Sequence, residues 1–331
     1  MSATVVVSER FSLLAVSLHL ATDDAAFAEE FASVFGGRRP ENFGELVPAT
    51  LNATLRAPHD GEPGELTIES DGTLDAAAFL LGFSSPTIPL RASAPIAEGW
   101  TSLAIGDDPQ PLFSFRGDVC RFRDVPRWRR ILAHYVFLRM LALRQEALFF
   151  HAASVGVDGR GVLLIGPKGS GKSTLSLGLA SRGHQFLGDE TAVYMPASRQ
   201  LLPFRRPAGI KPGPRAEAVT RSLARVQPRG DEDGMLRVDA DALFELAPAT
   251  PLPLEAVIFL EGFGDETRIE QIQPGRDELA MMQPMATTLS GAPPAARVFE
   301  MIRLLGSVRC YRMTAANPDQ TVSILEGVLR P

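Results

Sequence analysis

The stretch Gly166-Pro-Lys-Gly-Ser-Gly-Lys-Ser173 constrains this chain more than any other part of it. It satisfies the spacing G-x-x-x-x-G-K-[ST] at every position, and it stands between segments of two different periodicities. Before it, Gly161-Val-Leu-Leu-Ile165 is a continuous apolar run, the pattern of a parallel strand buried on both faces. After it, Ser173 to Arg182 carries Leu175 and Leu179 one helical turn apart, which anchors a helix against a sheet. Strand, glycine-rich turn and helix in this order predict an α/β unit whose turn gathers backbone N–H groups at a helix N-terminus. Gly166, Gly169 and Gly171 free that backbone to take φ > 0, and the helix dipole favours negative charge there. The expected ligand is a nucleotide phosphate.

Residue roles follow from the spacing. Lys172 is expected to reach the β- and γ-phosphates of ATP, and Ser173 to offer its hydroxyl to Mg²⁺. Ser170 and Thr174 complete the nucleotide-binding stretch. Arg182-Gly183 stops the helix, and His184-Gln-Phe-Leu187 reads as the next strand, ending in Gly188-Asp189-Glu190. A right-handed crossover needs only about thirty residues, so this strand should run parallel to the first within one sheet. Ligands of such sheets bind at the carboxyl ends of the strands, which puts Asp189 and Glu190 beside the phosphates. One carboxylate there can serve Mg²⁺ while the other takes a proton from an attacking hydroxyl.

Composition bounds the remainder. The 331 residues are 45% hydrophobic and 22% charged, the balance of a globular chain long enough for two domains. A net charge of -6 argues against a general nucleic-acid binder. Cys120 and Cys310 lie far apart without C-x-x-C spacing, which points to neither a disulfide framework nor a zinc site, and a cytoplasmic setting is expected. The most apolar window, Ile131 to Leu143, is interrupted by His134 and Arg139, so neither a signal peptide nor a membrane span is predicted.

Three regions are expected. Residues 1–125 form a β-rich α+β module punctuated by Gly and Pro, with strands at Thr4–Val7, Leu66–Glu69 and Thr101–Ile105 and a helix from an N-cap at Thr22 to Phe35. Residues 126–147 form a connecting helix opened by Asp124 and Pro126. Residues 148–331 form the phosphate-binding domain, beginning with a strand-like run, Leu148–Val155, that contains His151 and turns at Asp158-Gly159. Two helices close the chain, Pro294 to Leu305 and Asp319 to Leu329.

Phe150-His-Ala-Ala-Ser, the loop 166–173, Ser181-Arg-Gly-His184 and the early Asp189-Glu190 together resemble the catalytic domain of the HPr serine kinase/phosphorylase family. The nearer likeness is to HPr-kinase-related proteins, some of which phosphorylate ribosomally made peptide precursors; it covers roughly residues 148 to 328. This resemblance implies a P-loop kinase fold of the HPr kinase / phosphoenolpyruvate carboxykinase type and a homo-oligomer. It places the general base on Asp189, a metal-side acid on Glu190 and the histidine preceding the loop on His151. In place of the family's Arg-Gly-x-Gly segment stands Phe204-Arg-Arg-Pro-Ala-Gly-Ile-Lys211, whose Arg205, Arg206 and Lys211 fit two readings equally, a clamp on nucleotide phosphate or an acidic acceptor, or a solvated surface run.

Two function classes compete. The first is a kinase that moves the γ-phosphate of ATP to a serine-type hydroxyl of a peptide, small protein or metabolite, with Asp189, Lys172 and His151 as catalytic groups. The second is a P-loop ATPase or nucleotide switch, in which Val257-Ile-Phe-Leu-Glu261 would be the strand-plus-acid metal motif and Leu289-Ser-Gly291 a signature remnant. The order of those two segments is the reverse of that in transporter ATPases, which favours the kinase.

Overall fold

A computed structural model describes residues 7–36, 46–70, 90–93, 101–105, 112–210, 229–230, 236–239, 250–283, 286–287 and 294–329. Lys211, Asp231–Asp233 and Leu289–Gly291 lie outside the described residues. The protein is mixed α/β and divides into two compact units, Met1–Arg144 and Gln145–Pro331.

The first unit is built on an eight-stranded sheet in the order β1-β2-β3-β4-β8-β7-β6-β5. Its strands are β1 (Val7–Leu13), β2 (Val16–Thr22), β3 (Ala49–Arg56), β4 (Gly64–Glu69), β5 (Leu90–Ser93), β6 (Thr101–Ile105), β7 (Phe113–Arg116) and β8 (Val119–Phe122). Among the described strands of this sheet only β2 and β3 pair in parallel, and the crossover between them carries α1 (Ala25–Phe35), as a parallel pair requires. Alternate residues Leu51, Ala53 and Leu55 of β3 are buried while their neighbours face solvent, so the sheet has one core face. Phe27, Phe31 and Phe35 of α1 are fully buried, and Phe27 stacks on Trp128 while Phe35 stacks on Phe137.

Both aromatic partners belong to α2 (Trp128–Ala142), the helix expected to connect two regions; it packs inside the first unit. It starts after Arg127, whose left-handed φ of 70° keeps Pro126 outside the helix, and it ends at Ala142, short of Glu146. The N-cap of α1 is Asp24, whose carboxylate accepts the Phe27 N–H at 3.0 Å. Thr22 remains paired in β2, and its hydroxyl accepts the Asp24 N–H instead. The cap falls two residues later than Thr22 because Thr22 is still held in the sheet.

The second unit holds the phosphate loop. Its central strands are β11 (Arg160–Ile165), following β9 (Leu148–Phe150) and β10 (Ala153–Val157), and the long β18 (Leu252–Phe263), paired with β11 in parallel. Between them in sequence come α3 (Lys172–Ser181), β12 (Gln185–Gly188), β13 (Ala192–Met195), β14 (Gln200–Leu202) and a small separate sheet of β15 (Ala208–Ile210), β16 (Arg229–Gly230) and β17 (Leu236–Val238). After β18 follow β19 (Arg268–Ile272), α4 (Arg276–Met282), β20 (Ala286–Thr287), α5 (Pro294–Leu305), β21 (Arg309–Ala315) and α6 (Pro318–Leu329). The main order is β12-β10-β11-β18-β14-β13-β9-β20, with β21 also on β18.

The strand β12 does run parallel to β11 within one sheet, but β10 lies between them, antiparallel to both. The reason is the tight hairpin at Asp158-Gly159, with φ of 49° and 76°, which returns β10 against β11 and takes the neighbouring position. The expected run Leu148–Val155 is likewise two strands: β9 pairs with β13 and β20, β10 with β11 and β12. His151 sits at the break between them, exposed, and not within a strand.

The sheet is covered on both faces. Val162, Leu164, Ile258 and Leu260 point to one side, against Leu175 and Leu179 of α3 and Val322 and Leu325 of α6. Leu163, Ile165, Val257 and Phe259 point to the other, against Met301, Leu304 and Leu305 of α5. This explains the unbroken apolar runs of β11 and β18: each successive residue meets a different core. On the outer side of α5, Phe299 and Ile302 are exposed, at 65% and 47%. No helix among the described residues is long and apolar enough to cross a membrane.

Candidate active site

The loop leaves β11 at Ile165 and enters α3 at Lys172. Gly169 and Gly171 take the left-handed φ expected of them, 86° and 102°, whereas Gly166 does not. Gly166 is required for space: a Cβ there would lie 2.6 Å from the Leu260 carbonyl oxygen of β18 and 2.7 Å from the Ser170 hydroxyl. The loop is thereby pressed against the sheet. Ser170 is buried beneath it, and its hydroxyl has no hydrogen-bond partner.

Lys172 is the first residue of α3, and its ammonium donates back to the Gly166 carbonyl at 2.7 Å and the Pro167 carbonyl at 3.1 Å. Burial lowers its pKa, while the carboxylates of Asp189 and Glu190 pull it upward. Ser173 and Thr174 follow half-buried in the first turn. The loop, Lys172, Ser173 and Asp189 thus meet at one end of β11 and α3.

Asp189 follows directly on β12. It is 3% exposed, and neither carboxylate oxygen has a hydrogen-bond partner. Burial raises its pKa to about 6, and the neighbouring Glu190 carboxylate adds to the rise. The Ser173 hydroxyl and the Glu190 amide pull it back in part without reaching hydrogen-bond geometry, and so does the Lys172 charge. A buried carboxylate with both oxygens unsatisfied is costly unless something binds there. Hard oxygen donors beside a phosphate loop suit Mg²⁺, which takes few protein groups and completes its shell with phosphate and water. Among the described residues no group of three or more His, Cys, Asp or Glu converges to hold a metal by itself.

Glu190 has a left-handed backbone, φ 60°, and its carboxylate lies 3.8 Å from Arg206 and 4.0 Å from Arg237. Its carbonyl oxygen is 3.0 Å from the His151 Nδ1, which brings His151 to the acidic turn. Partial burial and the Lys172 charge lower the His151 pKa; Glu190 opposes them. Arg205 turns away and donates to the Phe186 carbonyl at 2.7 Å, whereas Arg206 is buried and reaches Thr191 as well as Glu190. Arg237 had no signal in the sequence, since a lone arginine in a three-residue strand resembles any surface cation. Only the pairing of β17 with β15 carries it to the site. The acid that would mark an ATPase metal motif, Glu261, is engaged elsewhere, 3.4 Å from Arg312 and accepting from Thr314 at 3.2 Å.

No family model matches the chain. A sequence relative is the HPr kinase/phosphorylase of Lachnoclostridium phytofermentans, 29% identical over 124 residues, 37% of this chain. The chain spans 36% of that relative's length. Among solved structures, the HPr(Ser) kinase/phosphatase from Coxiella burnetii is matched over 55% of this chain and 88% of its own, at 18% identity and a TM-score of 0.29, too low to establish a shared arrangement. By its sequence match, taken with the residues gathered at the loop, the chain is HPr-kinase-like.

Proposed function

We propose that the protein is an ATP-dependent, Mg²⁺-requiring kinase that transfers the γ-phosphate to a serine-type hydroxyl of a peptide, small protein or metabolite, on a P-loop domain of the HPr kinase / phosphoenolpyruvate carboxykinase type. One observation carries this reading: a fully buried carboxylate, Asp189, stands unpartnered beside a complete phosphate loop. A structural acid would have been given a partner; one that must receive a proton is better without.

The loop amides and Lys172 hold the phosphates, with Lys172 exchanging the carbonyls of Gly166 and Pro167 for phosphate oxygens. Gly166, Gly169, Ser170, Gly171, Ser173 and Thr174 line that contact. Ser173 and Glu190 serve Mg²⁺, which when bound neutralises charge on the transferring group. Asp189 accepts the hydroxyl proton as the bond to phosphorus forms. A pKa near 6 leaves it mostly ionised at neutral pH yet more basic than an ordinary carboxylate. His151, through its contact with the Glu190 carbonyl, orients the acidic turn.

The test is transfer of labelled γ-phosphate from ATP to a size-fractionated cell extract, with Asp189→Asn as the control. Label on one acceptor, lost in the variant, supports the kinase; label released only as inorganic phosphate moves the reading to an ATPase or switch. The pairing of Glu261 with Arg312 weighs against that second reading.

A further inference from the structure

The phosphate loop meets β18 at both of its ends. At the first, a Cβ on Gly166 would lie 2.6 Å from the Leu260 carbonyl oxygen; at the last, a Cβ on Gly171 would lie 3.0 Å from Cζ of the Phe263 ring. Leu260 and Phe263 both belong to the carboxyl end of β18, and their contacts bracket the loop between β11 and the N-cap of α3. Phe263 does not reach Gly171 by simple continuation of the strand. The pairing of β18 with β21 slips between Leu260 and Gly262, which leaves Glu261 as an extra residue in the ladder, and such a bulge re-aims the side chains beside it. Gly262 then takes a φ of 128°, open to glycine and strained for other residues. A Cβ on Gly262 would meet nothing within 4 Å, so the direction of the backbone, and not space, requires glycine there. Bulge and glycine together turn the half-buried ring of Phe263 onto the loop.

On the loop the need is entropic. Gly169 and Gly171 hold φ of 86° and 102°, and glycine loses more conformational freedom than any other residue when it is fixed. A loop that its ligand must order loses affinity by that amount, whereas one ordered beforehand does not. Lys172 ties the start of the loop through the carbonyls of Gly166 and Pro167. Gly171, at the other end, carries no side chain with which to pack. The Phe263 ring stands where such a side chain would project and supplies the contact from β18.

Resting on the reading of this loop as a nucleotide-phosphate site, we propose that Phe263 is a positioning residue: its ring, aimed by the bulge at Glu261 and by Gly262, holds Gly171 in the conformation that receives phosphate. The loop is thereby set before the nucleotide arrives. Phe263 acts on phosphate affinity through Gly171 and touches neither the base nor the transferred group.

Two probes separate phosphate from base: inorganic pyrophosphate and ADP, each titrated with Mg²⁺ into the full chain by calorimetry. Phe263→Ala should weaken both about tenfold and by the same factor, and Phe263→Leu, which restores bulk against Gly171, should recover most of the loss. Gly262→Ala should weaken pyrophosphate to a similar degree by misdirecting the ring. The double variant should then bind no worse than Phe263→Ala, because Gly262 acts only through Phe263. A ring with a merely structural role in β18 would leave the affinity of the folded protein unchanged. Loss for ADP with pyrophosphate unchanged would overturn the assignment and give the ring to the base; unchanged affinity for both probes, or losses that add in the double variant, would overturn it as well. Should Phe263→Ala fail to fold, pyrophosphate affinity in Gly262→Ala still decides. A wild-type chain that binds neither probe would overturn the nucleotide reading and this assignment together, whereas wild-type binding that the variants leave intact would overturn this assignment alone. Phosphotransfer is tested separately, by the label experiment.

Discussion

Asp189 couples function to stability through one group. Burial raises its carboxyl pKa to about 6 in the folded protein from the ordinary 3.8, so the folded chain retains a proton that the unfolded chain releases. Stability is therefore highest below about pH 4 on this account; it declines as pH rises toward 6, and above that the penalty is complete. The interval corresponds to about 3 kcal/mol. Asp189→Asn should raise stability at pH 7 by up to about 3 kcal/mol in denaturant unfolding while lowering transfer by roughly 10²–10⁴-fold. In the wild type, kcat/KM should fall as pH drops through about 6, because the base becomes protonated. At Gly166, where the constraint is space, substitution by Ala should cost roughly 1–3 kcal/mol of stability and weaken ATP binding, since the new methyl must displace β18 or Ser170.

At the scale of elements, α1 depends on Asp24 twice: as N-cap to Phe27 and as a carboxylate gripped by Arg129 at 2.6 Å. Asp24→Ala should destabilise the first unit by about 2 kcal/mol, read from the denaturant midpoint, whereas Asp24→Asn should keep the cap and lose about half of that. Elements that announce themselves locally were legible in the sequence. The strand, loop and helix of 161–182 were, because their periodicities differ and the loop has a strict pattern; so was the Asp158-Gly159 hairpin, because both residues tolerate left-handed φ. Legibility failed where pairing decides. Nothing in Leu148–Val155 says that Phe150 pairs with Ala192 while Ala153 pairs with Leu164, yet that split takes His151 out of the strand and puts it against Glu190. Arg237 was hidden for the same reason: its partner strand β15 lies about thirty residues earlier.

For the whole molecule, the chief fact is that each unit has its own sheet: the eight-stranded one falls entirely before Arg144, and the strands around the loop all follow Gln145. Residues 145–331, expressed alone, should fold and bind ATP with an affinity within a few-fold of the full chain, as measured by calorimetry, because every residue named in the phosphate site lies within them. If the first unit selects the acceptor, its removal should reduce transfer to the natural acceptor while leaving ATP binding in place. Loss of ATP binding by the isolated second unit would contradict that division of labour. The central claim is that Asp189 takes a proton from an acceptor hydroxyl, and the most direct measurement follows the γ-phosphate of labelled ATP in wild type and Asp189→Asn. The account predicts label on an acceptor in the wild type and its loss in a variant that is folded and still binds ATP; label transferred equally well by Asp189→Asn would contradict it.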